Sequence, residues 1–203
     1  MHLNFTHSNS TMKVVLALVL SVALLATGCT AQWLSVALAD LPVLTQMALN
    51  IASLAVTLQS GRQVNPADSA AIQNISAEAG KDLSLLQSLY NEYQANPNIT
   101  TLQKINGVLT TTTTNLPALL GAAHISDPVL AARITAAVNL ILGTVNSFAA
   151  LIPQTAPFAA RTRAAQTVAM PKAKDLKKRW NEQVCAPTGN AAFDSAFTSI
   201  ALQ

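Results

Sequence analysis

The sequence predicts an all-α protein: an up-down four-helix bundle with a basic C-terminal extension and a short terminal helix. Alanine, leucine and threonine dominate the 203-residue chain, and aromatic residues make up only 4% of it. No stretch of four to eight residues alternates between apolar and polar side chains, as a half-buried strand would. Apolar residues instead recur at spacings of three and four, which is the period of one helix face.

The first bundle helix is predicted from Leu41 to Ser60, after a lead-in over residues 29–40. Gln46 and Asn50 begin a polar stripe along one side of it, and Ser60 with Gly61 ends it. The apolar side chains follow spacings of 3, 4, 3, 4 and 3, and they are Leu41, Leu44, Ala48, Ile51, Ala55 and Leu58.

The second and fourth helices each begin at a cap followed by proline, at Asn65-Pro66 and at Asp127-Pro128. A side chain that accepts a hydrogen bond from the first turn, followed by proline at the first helical position, is a strong helix start. The predicted core faces are Ile72, Ile75, Ala79, Leu83, Leu86, Tyr90 and Tyr93 in the second helix, and Ile134, Val138, Ile141, Val145, Phe148 and Ile152 in the fourth.

The third helix has the weakest pattern. Gly107, the threonine run 110–114 and Pro117 all lower helix propensity. Its predicted core residues are Leu102, Ile105, Leu109 and Leu116. Four segments of this length joined by short turns predict antiparallel neighbours in a bundle that spans residues 41–153.

The N-terminal region has the form of a secretory signal. Met12 and Lys13 precede an uncharged apolar run, Val14 to Ala26, of 13 residues. This run is shorter than the roughly 20 residues that a membrane-spanning helix needs, and it is followed by small residues. Residues 1–28 are therefore predicted to be a cleaved signal peptide, with residues 1–11 lying before the true start.

The stretch Ala26-Thr27-Gly28-Cys29 resembles the lipobox of bacterial lipoproteins. This resemblance implies that Cys29 carries a diacylglyceryl thioether and becomes an acylated amino terminus. It also implies that Thr30, the residue after the lipidated cysteine, directs the protein to the outer membrane, facing the periplasm. Two alternatives stay open: an ordinary cleaved signal followed by a free thiol, and a retained membrane helix.

Basic residues are concentrated near the C-terminus. Residues 29–160 hold four basic and six acidic side chains, so the pI of about 9.1 comes from the region that follows. Contact with anionic lipid head groups is one hypothesis for this extension, residues 154–183, and a solvated helix or linker is the alternative. The candidate contact residues are Arg161, Arg163, Lys172, Lys174, Lys177, Lys178, Arg179 and Trp180. Trp180 fits either an interfacial contact or a small packing contact.

The last segment, residues 184–203, contains a turn and a short helix. Phe193, Phe197 and Ile200 lie on one side of that helix, which predicts that it docks on the bundle. Cys185 is the second and last cysteine, so lipidation of Cys29 leaves it either as a buried thiol or as a group that pairs with another chain.

Catalytic motifs are missing from the sequence, and we expect neither an enzyme nor a metal or cofactor site. There is no HExxH, CxxC, P-loop or GxGxxG pattern. His124 lies in a predicted loop without a matching nucleophile. Glu78 and Asp82 are four apart and could form a carboxylate pair, although Lys81 beside them favours a solvated surface. Asp40, like the aspartates before the other helices, is assigned to a helix start.

The sequence thus predicts a lipid-anchored helical envelope protein that acts by binding or assembly. Its partners would be the membrane, through Cys29, and either anionic head groups or another envelope protein, with no nucleic acid. One alternative is a carrier of an apolar ligand in a bundle groove. Another is a membrane-active protein in which helices 41–61 and 134–152 insert into the bilayer.

Overall fold

The structure, a computed structural model, describes the backbone of residues 8–152 and 172–203 and the side chains of residues 33–152 and 172–203. The described residues form six helices and no strand: α1 (Ser8–Ser60), α2 (Pro66–Ala95), α3 (Ile99–Ala122), α4 (Pro128–Leu151), α5 (Ala173–Gln183) and α6 (Ala191–Ser199). Each of the first four packs against the next, and α1 also packs against α4. The predicted all-α bundle is confirmed.

Side-chain caps begin three of the bundle helices. The N-cap oxygen accepts a hydrogen bond from a backbone N–H at 2.8 Å in each case: Asn65 from Asp68, Asn98 from Thr101, and Asp127 from Leu130. The two helix starts predicted from Asn-Pro and Asp-Pro are therefore confirmed. Such a cap stabilises a helix by about 1 kcal/mol, because it satisfies a backbone donor that has no partner inside the helix.

The core lies on the faces that the apolar spacing predicted. Every predicted core residue of the four helices is buried except Tyr93, which is half-buried at the edge of the core. The core also extends further towards the N-terminus than Leu41, because Trp33, Leu34 and Ala37 on the same face of α1 are buried with it. The first helix therefore contributes to the bundle from Trp33 onwards.

Asp40 does not begin a helix, contrary to its predicted role. It lies inside α1, where its side chain is only 1% exposed. The prediction failed because Leu41-Pro42 looks like a helix start, whereas Pro42 is accommodated within the continuous helix. Proline inside a helix removes one backbone hydrogen bond and crowds the carbonyl oxygen four residues earlier, and the burial of Leu41 and Leu44 beside it favours the continuous helix.

The third helix forms in spite of its weak pattern. It continues through Pro117 to Ala122, and its threonine hydroxyls bond to the helix itself. Those of Thr110 and Thr114, for example, donate to carbonyl oxygens four residues earlier, at 2.9 and 3.0 Å. Burial of the four predicted core residues outweighs the low local propensity, since tertiary packing supplies most of the stability of a helix in a protein.

The C-terminal segment docks on the bundle, as predicted. Phe193, Phe197 and Ile200 are buried, and helices α5 and α6 both pack against α1. The Ile200 carbonyl oxygen accepts two buried hydrogen bonds, one from the Asn50 amide at 2.8 Å and one from the Trp180 indole N–H at 3.0 Å. Asn50, expected in the polar stripe of the first helix, is instead buried and holds the C-terminus.

Candidate functional site

One end of the bundle is closed by aromatic side chains, and we call Trp33, Tyr90, Tyr93 and Phe148 the aromatic end. The Trp33 and Tyr90 rings pack edge to face with their centroids 5.7 Å apart, and Tyr90 and Phe148 do so at 6.3 Å. The centroids of Trp33 and Tyr93 are 6.0 Å apart. Pairs of this geometry contribute about 0.5–1.5 kcal/mol each beyond their burial. This end of α1 is also the one nearest to Cys29 along the chain.

Two polar atoms at the aromatic end have no hydrogen-bond partner among the described residues. They are the Trp33 indole nitrogen and the Tyr90 hydroxyl oxygen, and both residues are at least 96% buried. Burial raises the pKa of Tyr90, because the phenolate would be charged in an apolar surrounding. Both groups are therefore neutral hydrogen-bond donors held within the packed core.

Asp40 lies on the same face of α1, two turns beyond Trp33. One carboxylate oxygen accepts a hydrogen bond from the backbone N–H of Ala173, the first residue of α5. Its Oδ2 atom has no partner within the described part of the chain. Burial raises the pKa of Asp40 from 3.8 to about 6, and the hydrogen bond from Ala173 opposes this only partly. Asp40 thus caps α5 from another helix, a role that Lys172 at the cap position does not fill.

The candidate anionic-surface residues divide between α5 and the region before it. Arg161 and Arg163 lie outside the described residues. On α5, Lys177 donates to the carbonyl of the C-terminal residue Gln203, and Lys178 forms an exposed ion pair with Glu182 at 3.8 Å. The remaining basic residues of this set, Lys172, Lys174 and Arg179, are exposed and make no ion pair with the described part of the chain.

Trp180 is not available for an interfacial contact. Its side chain is fully buried between α5 and the bundle, and its N–H is used by Ile200. Leu176 and Val184 are buried on the same side of α5. Of the two roles open to Trp180, packing is therefore the one observed, because α5 is amphipathic and its apolar side faces the core.

The two cysteines lie in different surroundings. Cys29 belongs to the backbone of α1, and its side chain lies outside the described residues. Cys185 is half-buried and forms no disulfide, and burial raises the pKa of its thiol to about 11. The thiolate is the reactive form, so this environment favours the inert thiol over pairing with another chain.

The favoured prediction of a solvated surface at Glu78 and Asp82 is wrong for Asp82, whereas Glu78 is half-buried and forms an ion pair with the exposed Lys81 at 3.3 Å. Asp82 is 3% exposed and accepts a hydrogen bond from the Thr112 hydroxyl at 2.9 Å. Its pKa is raised, mainly by burial, whereas hydrogen bonds from Asn115 and Lys81 lower the pKa of Glu78. These carboxylates link α2 to α3, and this buried link could not be predicted because it depends on the neighbouring helix.

The described residues contain no group of three or more histidine, cysteine, aspartate or glutamate side chains that could hold a metal ion. His124 is exposed in the loop between α3 and α4, as predicted.

Two helical stretches, Trp33–Ser60 and Pro128–Leu151, are long and apolar enough to cross a bilayer. About half of each is buried in the bundle, so they only weakly indicate membrane association.

Comparison with known proteins gives no match: no protein family fits this chain, and no curated protein or solved structure is similar to it. The function is inferred from the residues and contacts described above.

Proposed function

We propose that this chain is a lipid-anchored helical protein of the bacterial cell envelope that acts by binding or assembly, without catalysis. One observation carries the proposal: the lipobox cysteine and the bundle core lie on one uninterrupted helix. Cys29 precedes Trp33, the first buried residue described, by four residues. At 1.5 Å per residue they are about 6 Å apart along the helix axis.

With such a short connection, a lipid-anchored chain would hold the aromatic end of the bundle near the membrane surface. A lipid on Cys29 would hold the N-terminus of the mature α1 at the head groups, and no flexible linker intervenes. The helix from Trp33 to Ser60 has 28 residues, so the bundle would extend about 40 Å from the bilayer. Outer-membrane sorting, with the bundle in the periplasm, follows from Thr30 only through the resemblance.

This orientation limits which basic residues reach the lipid. Helix α5 runs parallel to α1, because Ala173 bonds to Asp40 whereas Trp180 and Asn50 share the Ile200 carbonyl. Its first residues therefore lie about 16 Å from Cys29 along α1, and its exposed Arg179 lies about 30 Å away. The Debye length is only about 8 Å at physiological ionic strength. In an upright bundle the basic face of α5 is better placed to bind an acidic protein than anionic lipid.

The lipid anchor is tested by the intact mass and the membrane fractionation of the protein expressed in a bacterial host. We expect the mass of a chain beginning at Cys29 plus a diacylglyceryl group and an acyl chain. Replacement of Cys29 by serine should abolish the added mass and release the protein into the soluble fraction. Cys185→Ser is the matched control, and it should change neither. An unmodified Cys29 in a membrane-free protein would refute the proposal.

Membrane insertion of the bundle helices is the second candidate, and the two apolar helices support it weakly. If it is correct, Cys29→Ser will stay in the membrane and resist alkaline extraction.

A carrier function has less support. The depressions beside Pro42 and beside Arg62 are open to solvent. Neither is the enclosed apolar groove that a carrier needs.

A further inference from the structure

Helix α1 presents an uncharged, partly apolar face to solvent, next to its buried core face. From Trp33 to Ser60 the only ionisable side chain is Asp40, which is buried. Leu49 and Val56 are 57% and 52% exposed, and they are among the most exposed large apolar side chains described. Large apolar groups that line up on a charge-free surface mark an interaction site more often than scattered ones do.

The exposed residues follow a heptad. Six residues at the a and d positions of this heptad follow one another at spacings of 4, 3, 4, 3 and 4, and each is exposed or half-buried. We call them the α1 stripe: Leu38, Pro42, Thr45, Leu49, Ala52 and Val56. A 3.5-residue repeat on one face is the pattern by which two helices wind around each other. The buried core face of α1 uses a different set of residues, although Leu38 at one end of the α1 stripe also packs against the core.

A hole for a partner side chain is present on this stripe. Pro42, Thr45, Gln46 and Leu49 occupy positions i, i+3, i+4 and i+7 and line a depression of about 390 Å³. Four residues in this arrangement form the hole into which a side chain from a facing helix inserts in a coiled coil. Ser84 and Gln87 of α2 complete the lining, and they too are uncharged. The spacing of these residues therefore fits a helix that packs on the α1 stripe and inserts a side chain into this depression.

We propose that this helix is α1 of a second copy, and that two copies pair through the α1 stripe as a parallel, left-handed coiled coil. In register, Thr45 of each copy would enter the hole of the other. The stripe is self-complementary, since an apolar face without charges meets an identical one without repulsion. The pairing rests on the proposed function in one respect: lipid anchors at Cys29 hold both helices with the same end at the membrane and confine them to one surface.

The pairing should depend on the membrane. From Leu38 to Val56 the stripe is about 28 Å long, and two helices in contact over this length, about 10 Å wide, cover roughly 300 Å² per copy. Stable interfaces bury about 800 Å² per partner. Two copies are therefore expected to separate in solution and to pair when tethering confines them to one surface, which raises their effective concentration.

Disulfide cross-linking in isolated membranes tests the proposal. In a Cys185→Ser background, Val56→Cys should give a cross-linked dimer on mild oxidation, because the a positions of parallel helices face each other. Thr57→Cys, on the same exposed side but off the stripe, is the matched control and should cross-link at least tenfold less. The parent chain without an introduced cysteine should give no dimer, since a lipidated Cys29 has no free thiol.

A charge in the stripe supplies an independent readout. Leu49→Lys added to the Val56→Cys chain should reduce the cross-linked fraction about tenfold, whereas Thr57→Lys should leave it unchanged. Both positions are exposed, so neither change disturbs the core. Releasing the chain with Cys29→Ser should also reduce cross-linking, and the intact mass reports separately whether the anchor exists.

Several results would overturn the pairing. Equal cross-linking at positions 56 and 57 would mean random collision. Cross-links between Leu38→Cys and Val56→Cys chains would mean an antiparallel pair. Absence of dimer from folded Val56→Cys protein in the membrane would exclude a second copy. If a cysteine at position 49 then reacts only with a lipid-soluble reagent, the bilayer itself covers the α1 stripe.

Discussion

The buried carboxyl of Asp40 should make the stability of this protein fall as the pH rises from acid to neutral. Its side chain is 1% exposed, and burial raises its pKa from 3.8 to about 6. The protonated form is thus favoured in the folded state. The stabilisation is complete below the unfolded-state pKa near 4, and it is lost as the pH rises through the folded-state value near 6.

The size of this effect follows from the two pKa values. One pKa unit corresponds to about 1.4 kcal/mol, so the difference between 3.8 and 6 corresponds to about 3 kcal/mol of unfolding free energy. Asp40→Asn keeps an oxygen that can accept the N–H of Ala173 but cannot ionise. The difference in unfolding free energy, variant minus wild type, should therefore grow by about 3 kcal/mol between pH 3.5 and pH 8.

Urea unfolding followed by circular dichroism measures this difference in the Cys29→Ser chain, which has no lipid. The other carboxyl groups titrate in both proteins. The difference between wild type and Asp40→Asn therefore reports only how the ionisation of Asp40 changes the unfolding free energy. Asp40→Ala is a second control: without an acceptor for Ala173 it should be about 1 kcal/mol less stable than Asp40→Asn at every pH. If the difference between variant and wild type instead stays constant or becomes smaller between pH 3.5 and pH 8, charge at the start of α5 outweighs burial, and our reasoning is wrong.

Three further predictions concern the C-terminal docking, a helix cap and the free thiol. Trp180→Phe removes the hydrogen bond to Ile200 and replaces the buried indole by a smaller ring, so we expect a loss of at least about 1 kcal/mol and faster amide exchange in α6, measured by mass spectrometry. Asp127→Ala removes the cap that binds the N–H of Leu130, and urea unfolding should show a loss of about 1 kcal/mol; no loss would mean that water replaces the cap. Cys185 should react with iodoacetamide far more slowly in the folded protein than in urea, because its pKa is raised to about 11; equal rates would contradict its burial.

The helices and their buried faces could be predicted from the sequence because they depend on local patterns. The spacing of Leu41, Leu44 and Ala48 selects one face of a helix whatever the neighbours are. The caps at Asn65 and Asp127 likewise act within one turn. Even the irregular third helix follows from the sequence, since its core residues keep the helical period on both sides of the threonine run.

The roles of individual polar residues could not be predicted, because each depends on a residue distant in the chain. Asp40 is buried because α5 begins beside it, and Asp82 because Thr112 lies opposite on α3. Trp180 and Asn50 share the Ile200 carbonyl although they lie on different helices. Sequence spacing shows which residues share a helix face, but not which faces meet.

The helices, their order, their core faces and the lipobox from which the anchor is proposed are all legible in the amino-acid order. The surfaces left outside the core became visible in the fold: the basic side of α5, and on α1 a second face with Leu49 and Val56 exposed. Burial differs from helix formation in this respect because it is a property of packing between helices. Two apolar faces of one helix look alike in sequence, and the fold covers only one of them.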